Sequence, residues 1–334
     1  MENAVVGPLS TESASAGLNP DSVERPGLRG RVAILMCTYN GGRFLTEQLE
    51  SIQQQDYSDW DLYISDDGST DSTLEIIKAF QARSGKERVV LLSGPGRGFA
   101  RNFMSLTCDQ DVNADFYAWS DQDDIWAADK LSAALAWLNQ IPKNTPALYS
   151  SRTTLVDESG NHTGLTSRYS GSFGFSNALV ENVAAGNTMV FNRAARELLK
   201  SASQHGNVVA HDWWAYLLVT GVGGSFYYDT TPHIFYRQHA MNSIGAAIGL
   251  KSALVRIHKL FQGRLSRWID QNIAGLDAIE HRLTETNREV LQRFKSARAR
   301  KLPGRVIGIW RSGIYRQTFM GNVGLLVAAI FKGV

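Results

Sequence analysis

Val32-Ala33-Ile34-Leu35-Met36-Cys37-Thr38-Tyr39-Asn40-Gly41-Gly42 sets an unbroken apolar run directly against a polar turn closed by two glycines. A run of this kind, bounded by turn residues, reads as a buried strand, and a strand buried on both faces belongs to a parallel sheet. The pattern returns at Leu62–Ser65, Val89–Leu92 and Phe116–Ser120, with amphipathic stretches at Arg43–Gln54, Thr70–Ala82, Phe99–Thr107 and Asp129–Leu138. Strands alternating with helices from Arg31 to about Trp137 predict βαβ units and an α/β fold with a mostly parallel sheet. Farther along, the pattern predicts a strand at Thr188–Asn192, a helix at Asp212–Val219, and strands near Ser225–Tyr228 and His233–Tyr236. From about Ile244 the chain reads as helical and basic, and no internal repeat is found.

With 334 residues and 43% hydrophobic content, the chain can bury a substantial core. Its two cysteines, Cys37 and Cys108, provide neither a disulfide framework nor a zinc spacing, which suits a reduced compartment and predicts a cytoplasmic protein. Residues 1–30 are rich in Ser, Ala, Gly and Pro, lack a signal-like apolar run, and are expected to form a mobile tail. Charge is uneven: residues 251–334 hold 16 Lys+Arg against 5 Asp+Glu, so the preceding body is acidic although the whole chain carries only +2. Eight basic residues and no acid lie between Arg293 and Arg316, followed by thirteen mostly apolar residues, Phe319 to Phe331. A bilayer-spanning helix needs about twenty residues. This end therefore predicts a helix in the interface of an anionic membrane, peripheral on the inner face of the cytoplasmic membrane. The bland alternative is a helix packing its apolar face on the body. Its aromatics form no stacking platform, so a nucleic-acid partner is not expected.

In open α/β sheets ligands bind beyond the carboxyl ends of the strands. Here those ends are polar: Cys37-Thr38-Tyr39-Asn40-Gly41, Asp66-Asp67-Gly68-Ser69, and Asp121-Gln122-Asp123-Asp124. Three strand ends are expected to converge on five carboxylates. Three acids within four residues repel one another unless a cation joins them, and Mg²⁺ bound by one or two carboxylates plus substrate phosphates would do so. A solvated turn that caps a helix is the simpler reading of each acidic cluster taken alone. Asp66 and Asp67 have the chemistry to accept hydrogen bonds from a base N–H and a ribose hydroxyl. Gly94-Pro95-Gly96-Arg97-Gly98-Phe99-Ala100-Arg101-Asn102 opens a helix after the third strand, so backbone N–H groups with Arg97, Arg101 and Asn102 are candidates for the nucleotide phosphates.

Taken in order, Cys37-Thr38-Tyr39-Asn40-Gly41, Asp66-Asp67-Gly68-Ser69-Thr70-Asp71 and Ser120-Asp121-Gln122-Asp123-Asp124-Ile125-Trp126 resemble the motifs of family 2 glycosyltransferases. The resemblance runs from about Arg31 to Asn242 and is closest to the bacterial rhamnosyltransferase-like branch. It implies a GT-A fold: a Rossmann-like, mostly parallel sheet flanked by helices. Residues 31–140 would form the nucleotide-sugar-binding half, 141–243 the acceptor-binding half, and 244–334 a helical, basic C-terminal region. Thr38, Tyr39, Asn40, Asp66 and Asp67 would hold base and ribose, with Asp121 and Gln122 close by. Asp123 would be the primary ligand of Mg²⁺ or Mn²⁺, and His239 either a further ligand or a partner of the diphosphate. His211-Asp212-Trp213-Trp214 resembles the position of the catalytic base, which makes Asp212 the base, with Trp213 and Trp214 shaping the acceptor pocket. Trp126 and Asn187 are further acceptor-side candidates. The implied donor is a nucleotide diphosphate sugar, dTDP-rhamnose ahead of a UDP-sugar. The implied acceptor is a saccharide, lipid-linked, in cell-surface polysaccharide assembly.

Two rivals differ in class. One is a nucleotide-sugar-binding subunit without transfer activity, which would have no physical reason to keep both Asp123 and Asp212. The other is a nucleotidyltransferase, which would release pyrophosphate from an NTP and a sugar phosphate. A two-carboxylate hydrolase suits strand-end acids beside a nucleotide cradle less well than metal binding does.

Overall fold

The computed structural model describes residues 27–203, 208–239, 264–331 and 333–334. Residues 1–26 of the tail expected over 1–30, and the boundary expected at 243/244, lie outside them. Residues 28–30, expected within that tail, lie against the body: Leu28 packs on the core and the Tyr57 hydroxyl donates to the Gly30 carbonyl at 2.8 Å.

The chain runs β1 (Val32–Thr38), α1 (Leu45–Gln53), β2 (Trp60–Asp66), α2 (Thr73–Ser84), β3 (Val89–Ser93), α3 (Phe99–Cys108), β4 (Phe116–Ser120), β5 (Ile125–Trp126) and α4 (Lys130–Leu138). It continues as β6 (Ala147–Ser151), β7 (Thr154–Val156), β8 (His162–Leu165), α5 (Phe175–Ala178), β9 (Val190–Asn192), α6 (Arg193–Ser203), α7 (His211–Gly221), β10 (Ser225–Asp229) and β11 (Ile234–Arg237). Four C-terminal helices follow among the described residues: α8 (Arg264–Ala278), α9 (Glu285–Ala299), α10 (Gly304–Arg311) and α11 (Phe319–Ile330). None of the described helices is long and apolar enough to cross a membrane.

The main sheet has the order β10-β6-β9-β4-β1-β2-β3, and only β9 runs antiparallel to its neighbours. All seven residues of β1 are buried, because its period-2 alternation feeds two cores. Val32, Ile34 and Met36 join Leu45, Leu49 and Ile52 of α1 and Leu131 and Leu135 of α4. Ala33, Leu35 and Cys37 face the other way, with Phe103 and Met104 of α3 and the aromatics of α7. That second cluster continues without a break into the C-terminal helices through Ile269, Leu276, Leu291, Phe294, Ile309 and Leu325. α8 crosses α7 so closely that a Cβ on Gly275 would stand 2.7 Å from the Trp214 ring.

A second sheet, β5-β11-β7-β8, lies after the fourth strand's acidic end. β11 pairs antiparallel with β5 and parallel with β7, which brings Arg237 and the residues after it back beside Asp123 and Asp124. In the main sheet Thr38 pairs with Asp66 and Met36 with Ser120, so the three motif-bearing strand ends share one rim.

Candidate active site

The first two motifs are bound to each other. The Thr38 hydroxyl donates to Asp66 Oδ2 at 2.7 Å, the Ser69 hydroxyl donates to the same oxygen at 2.6 Å, and the Ser69 N–H donates to Asp66 Oδ1 at 2.8 Å. Thr38 and Asp66 are both buried. They were expected to hold base and ribose; in the structure their polar atoms bond the turn. Asn40 adopts φ 48°, in the left-handed region where Asn is tolerated, and its Oδ1 accepts from the Thr70 N–H at 2.8 Å. Asp71 accepts from the Gly42 N–H at 2.9 Å, tying α2 to the same turn.

What this scaffold leaves outward is Tyr39, 60% exposed. Its backbone is gripped by Gln122, whose Oε1 accepts from the Tyr39 N–H at 2.9 Å while its Nε2 donates to the Tyr39 carbonyl at 3.0 Å. The amide therefore docks the third motif on the first. An exposed ring held from behind is a surface on which a planar base can stack. Asp67 lies beside it and accepts from the Gly96 N–H at 2.6 Å and the Gly98 N–H at 3.0 Å, folding the glycine loop inward. Gly94 is needed in that fold because a Cβ there would meet Asp67 Oδ1 at 2.6 Å. Arg97 is exposed on this loop and Arg101 is exposed in the first turn of α3. Asn102 is not available to phosphate: it is 1% exposed, and its Nδ2 donates to the Ser65 carbonyl at 3.0 Å.

The acids after β4 have three separate fates. Asp124 turns inward, fully buried, where its Oδ2 accepts from Asn187 Nδ2 at 2.6 Å and burial pushes its pKa well up. The buried Lys130 amine lies nearby, donating to the Asn187 carbonyl at 2.8 Å above the Trp126 ring, and burial lowers its pKa despite Asp124 and Asp121. The expected five-carboxylate site thus excludes Asp124 and Asp66. Asp123 stays partly exposed, with His239 Nε2 at 2.8 Å from its Oδ2. Its carbonyl accepts from Arg237 Nε at 3.2 Å, and Arg237 Nη2 reaches Glu47 of α1 at 2.5 Å. Asp121, between them, receives no side-chain hydrogen bond among the described residues. Burial, with the charges of Asp123 and Asp212, pushes it up to about 7.

Asp212 comes from a separate element, the first turn of α7. Its Oδ1 accepts from the Trp213 N–H at 2.7 Å, with Asn182 and the Gly186 N–H also contributing. Burial raises its pKa, and these donors offset part of the rise. Behind it His211 is buried, stacked on Phe103 at a centroid separation of 4.1 Å, and burial holds it neutral with a pKa near 3. Its two ring nitrogens have no partner among the described residues. Gly186 packs on this pair, since a Cβ there would be 2.7 Å from His211 Nε2 and 3.3 Å from Asp212 Cβ.

The acceptor-side candidates lie inside the body. Trp213 is 4% and Trp214 3% exposed, with Trp213 Nε1 donating to the Ala178 carbonyl at 2.7 Å, so both serve the core of α7. Trp126 and Asn187 are likewise buried, one under Lys130 and the other bonded to Asp124. Asn182 is a positioning residue that sequence reasoning passed over. Arg237 belongs to Tyr236-Arg237-Gln238-His239, a stretch that also resembles family positions lining the cleft, and its buried side chain bonds the Asp123 carbonyl, the Glu158 carbonyl and Glu47.

The outward donor set fits a hard divalent cation. Asp121 and Asp123 offer carboxylate oxygens, and Asp121 is destabilised as an anion by desolvation and then by neighbouring negative charge that a cation would offset. Among the described residues no three His, Cys, Asp or Glu side chains gather closely enough to hold an ion unaided. Magnesium commonly takes one or two protein carboxylates and completes its shell with phosphate oxygens and water.

Comparison with known proteins agrees with this geometry. The glycosyl transferase family 2 profile matches residues 33–199. The dTDP-rhamnosyl transferase RfbG of Shigella flexneri is 34% identical over 236 residues, 66% of this chain and 78% of that protein. The UDP-Glc:alpha-D-GlcNAc-diphosphoundecaprenol beta-1,3-glucosyltransferase WfgD of Escherichia coli is 31% identical over 110 residues, 32% of this chain and 40% of that one. In three dimensions, S. aureus TarS 1-349 in complex with UDP-GlcNAc superposes with a TM-score of 0.51 at 13% identity, covering 91% of this chain and 89% of TarS 1-349. The motif order, the sheet that brings those motifs to one rim, and the family match agree: the chain belongs to glycosyl transferase family 2 and is a nucleotide-sugar-dependent glycosyltransferase with a GT-A fold.

Proposed function

We propose that the chain transfers one sugar, with inversion at the anomeric carbon, from a nucleotide diphosphate donor to a hydroxyl of a saccharide acceptor. The observation that carries this reading is the meeting of Asp121 and Asp123, beyond β4, with Asp212 of α7, close enough that Asp212 raises the pKa of Asp121. Tyr39 stacks the base, Asn40, Asp67 and Gln122 shape its cradle, and Arg97 and Arg101 face the diphosphate. Asp123 with His239 would hold Mg²⁺ or Mn²⁺, with Asp121 adjacent. The bound cation supplies charge stabilisation for the departing diphosphate.

Inverting transfer is one in-line displacement. The acceptor oxygen forms a bond to the anomeric carbon as the bond from that carbon to the β-phosphate oxygen breaks, and the acceptor proton passes to the Asp212 carboxylate. The diphosphate departs with the bonding pair. A carboxylate whose pKa is raised by burial is the better proton acceptor, and Asp212 is of that kind.

The likeness to a dTDP-rhamnosyl transferase supports dTDP-rhamnose as the donor, with a UDP-sugar as the alternative. The likeness to an enzyme whose named acceptor is a diphosphoundecaprenol-linked sugar supports a lipid-linked acceptor in cell-surface polysaccharide assembly, met at the inner face of the cytoplasmic membrane. The test is a thermal-shift and turnover screen of nucleotide sugars with Mg²⁺ or Mn²⁺, repeated on Asp123→Ala. Metal-dependent stabilisation by one donor, lost in the variant, is the expected result. Pyrophosphate release from an NTP and a sugar phosphate would overturn transfer in favour of nucleotidyl chemistry.

A further inference from the structure

The catalytic reading leaves one surface unused. α11, Phe-Met-Gly-Asn-Val-Gly-Leu-Leu-Val-Ala-Ala-Ile, has no charged residue. It buries Leu325, Ala328 and Ala329 on the body, yet its other face is apolar too: Met320, Val323, Val327 and Ile330 recur at helical spacing and are 72, 38, 43 and 43% exposed. Phe319 beside it is 81% exposed, and Trp310 of α10 is 72% exposed. A helix apolar on every side is ordinarily buried, and a water-facing stripe is ordinarily polar.

We propose that α10 and α11 form a docking face for an anionic lipid surface, which deepens the lipid-linked-acceptor reading and rests on it. Charge selects this occupant. Arg300 and Lys301, just before α10, and Arg311, its last residue, are exposed, and no acidic residue follows Glu289. A second copy of the chain would oppose these cations with their own kind, whereas an anionic bilayer supplies phosphates for the cations and acyl chains for Trp310, Phe319 and Met320. Twelve helical residues extend about 18 Å, short of the ~30 Å hydrocarbon core, so α11 lies along the interface.

The face is fixed to the acceptor side of the site. Glu181 accepts from Arg316 Nε at 3.2 Å and from the Gln317 N–H at 2.7 Å, and Asn177 Nδ2 donates to the Tyr315 carbonyl at 3.1 Å. The next residue, Asn182, is the one whose side chain bonds Asp212. The segment joining the two docking helices is thus clamped one residue from a partner of the catalytic base, and a head group held at the bilayer would meet the site from this side.

The experiment is co-sedimentation of the full chain with vesicles of phosphatidylcholine alone, or with about one-third phosphatidylglycerol, at low and high salt. Wild type should pellet with the anionic vesicles only, and less so at high salt. Trp310→Ser/Phe319→Ser/Met320→Ser and, separately, Arg300→Gln/Lys301→Gln/Arg311→Gln should each weaken binding at least tenfold while keeping wild-type melting and wild-type donor turnover without lipid. Wild type that pellets with neither vesicle, or an apolar variant that binds like wild type, would overturn the proposal. So would a concentration-dependent dimer dissolved by the same apolar variant, because a second copy would then be the occupant. Wild type that binds vesicles but turns over no nucleotide sugar would refute the catalytic reading and leave this one standing.

Discussion

Replacing Asp212 with asparagine isolates proton transfer from everything else the residue does. The side chain sits partly exposed in the first turn of α7, and its Oδ1 accepts the Trp213 N–H at 2.7 Å. Asparagine keeps an oxygen for that bond and fills the same volume, so the helix start and the neighbouring Gly186 contact survive. What is lost is the basic carboxylate. General-base catalysis contributes about 10² to 10⁴ in rate, or about 2.7 to 5.4 kcal/mol of transition-state stabilisation. Turnover of Asp212→Asn should fall by that factor, while donor affinity, which the proposed reading assigns to Tyr39, Asp67 and Gln122, should stay within a few-fold. The assay is single-turnover transfer from labelled donor, which prevents slow product release from masking chemistry, together with calorimetric titration of the donor. Turnover within tenfold of wild type at unchanged donor affinity would refute Asp212 as the base.

Other perturbations test the surroundings. In Gly186→Ala the new Cβ would come 2.7 Å from His211 Nε2 and 3.3 Å from Asp212 Cβ, so kcat should drop at least tenfold with donor affinity preserved; wild-type steady-state kinetics would mean the base is not held from that side. Asp123→Ala should abolish the divalent-dependent part of donor binding, and a wild-type Mn²⁺ titration in the variant would move the ligand elsewhere. Stability should also depend on pH through His233. Burial draws its pKa down, but Asp229 and Asp129, the latter 2.9 Å from Nδ1, raise it above 6.5 overall. A raised histidine stabilises fully below its unfolded pKa and loses that contribution as pH rises through the folded value. Melting temperature should therefore fall as pH rises above about 6.5, the unfolded value, and fall less in His233→Gln; equal slopes would refute this.

The parallel half of the fold was legible because its physics is local and periodic. β1 through β4 are short apolar runs, and each observed strand matches or slightly extends the expected one, as in Val89–Ser93 against Val89–Leu92. β5, β6, β7, β8, α5 and α6 were not anticipated. The fully buried Ala147–Ser151 ends in two serines, and the Ser150 hydroxyl is satisfied by Thr188 at 2.6 Å, a partner 38 residues away. When tertiary contacts replace a side chain's water, polarity in the sequence no longer reports exposure. α7 shows the converse. Trp213 and Trp214 are adjacent, so on a helix they face different directions, and the run Trp213 to Val219 is apolar all round. That pattern marks a helix enclosed on every side rather than a pocket wall, and it is written in the order of the residues themselves.

Residue type alone does not separate the acids at the strand ends. Asp121, Asp123 and Asp124 are equivalent in sequence, and what separates them is where their acceptor capacity goes. Asp124 is matched inside the protein by Asn187 and the Arg237 N–H, so it has little to offer a ligand. Asp66 is matched by Thr38 and Ser69. The Asp121 carboxylate, without a side-chain hydrogen bond among the described residues and pushed up to about 7 by burial beside Asp123 and Asp212, is the acceptor that the fold leaves unmatched. A half-buried carboxylate beside like charges gains when something cationic or proton-bearing arrives. On the proposed reading, the uncompensated oxygens of this rim receive donor and cation, and the compensated ones hold the rim in shape.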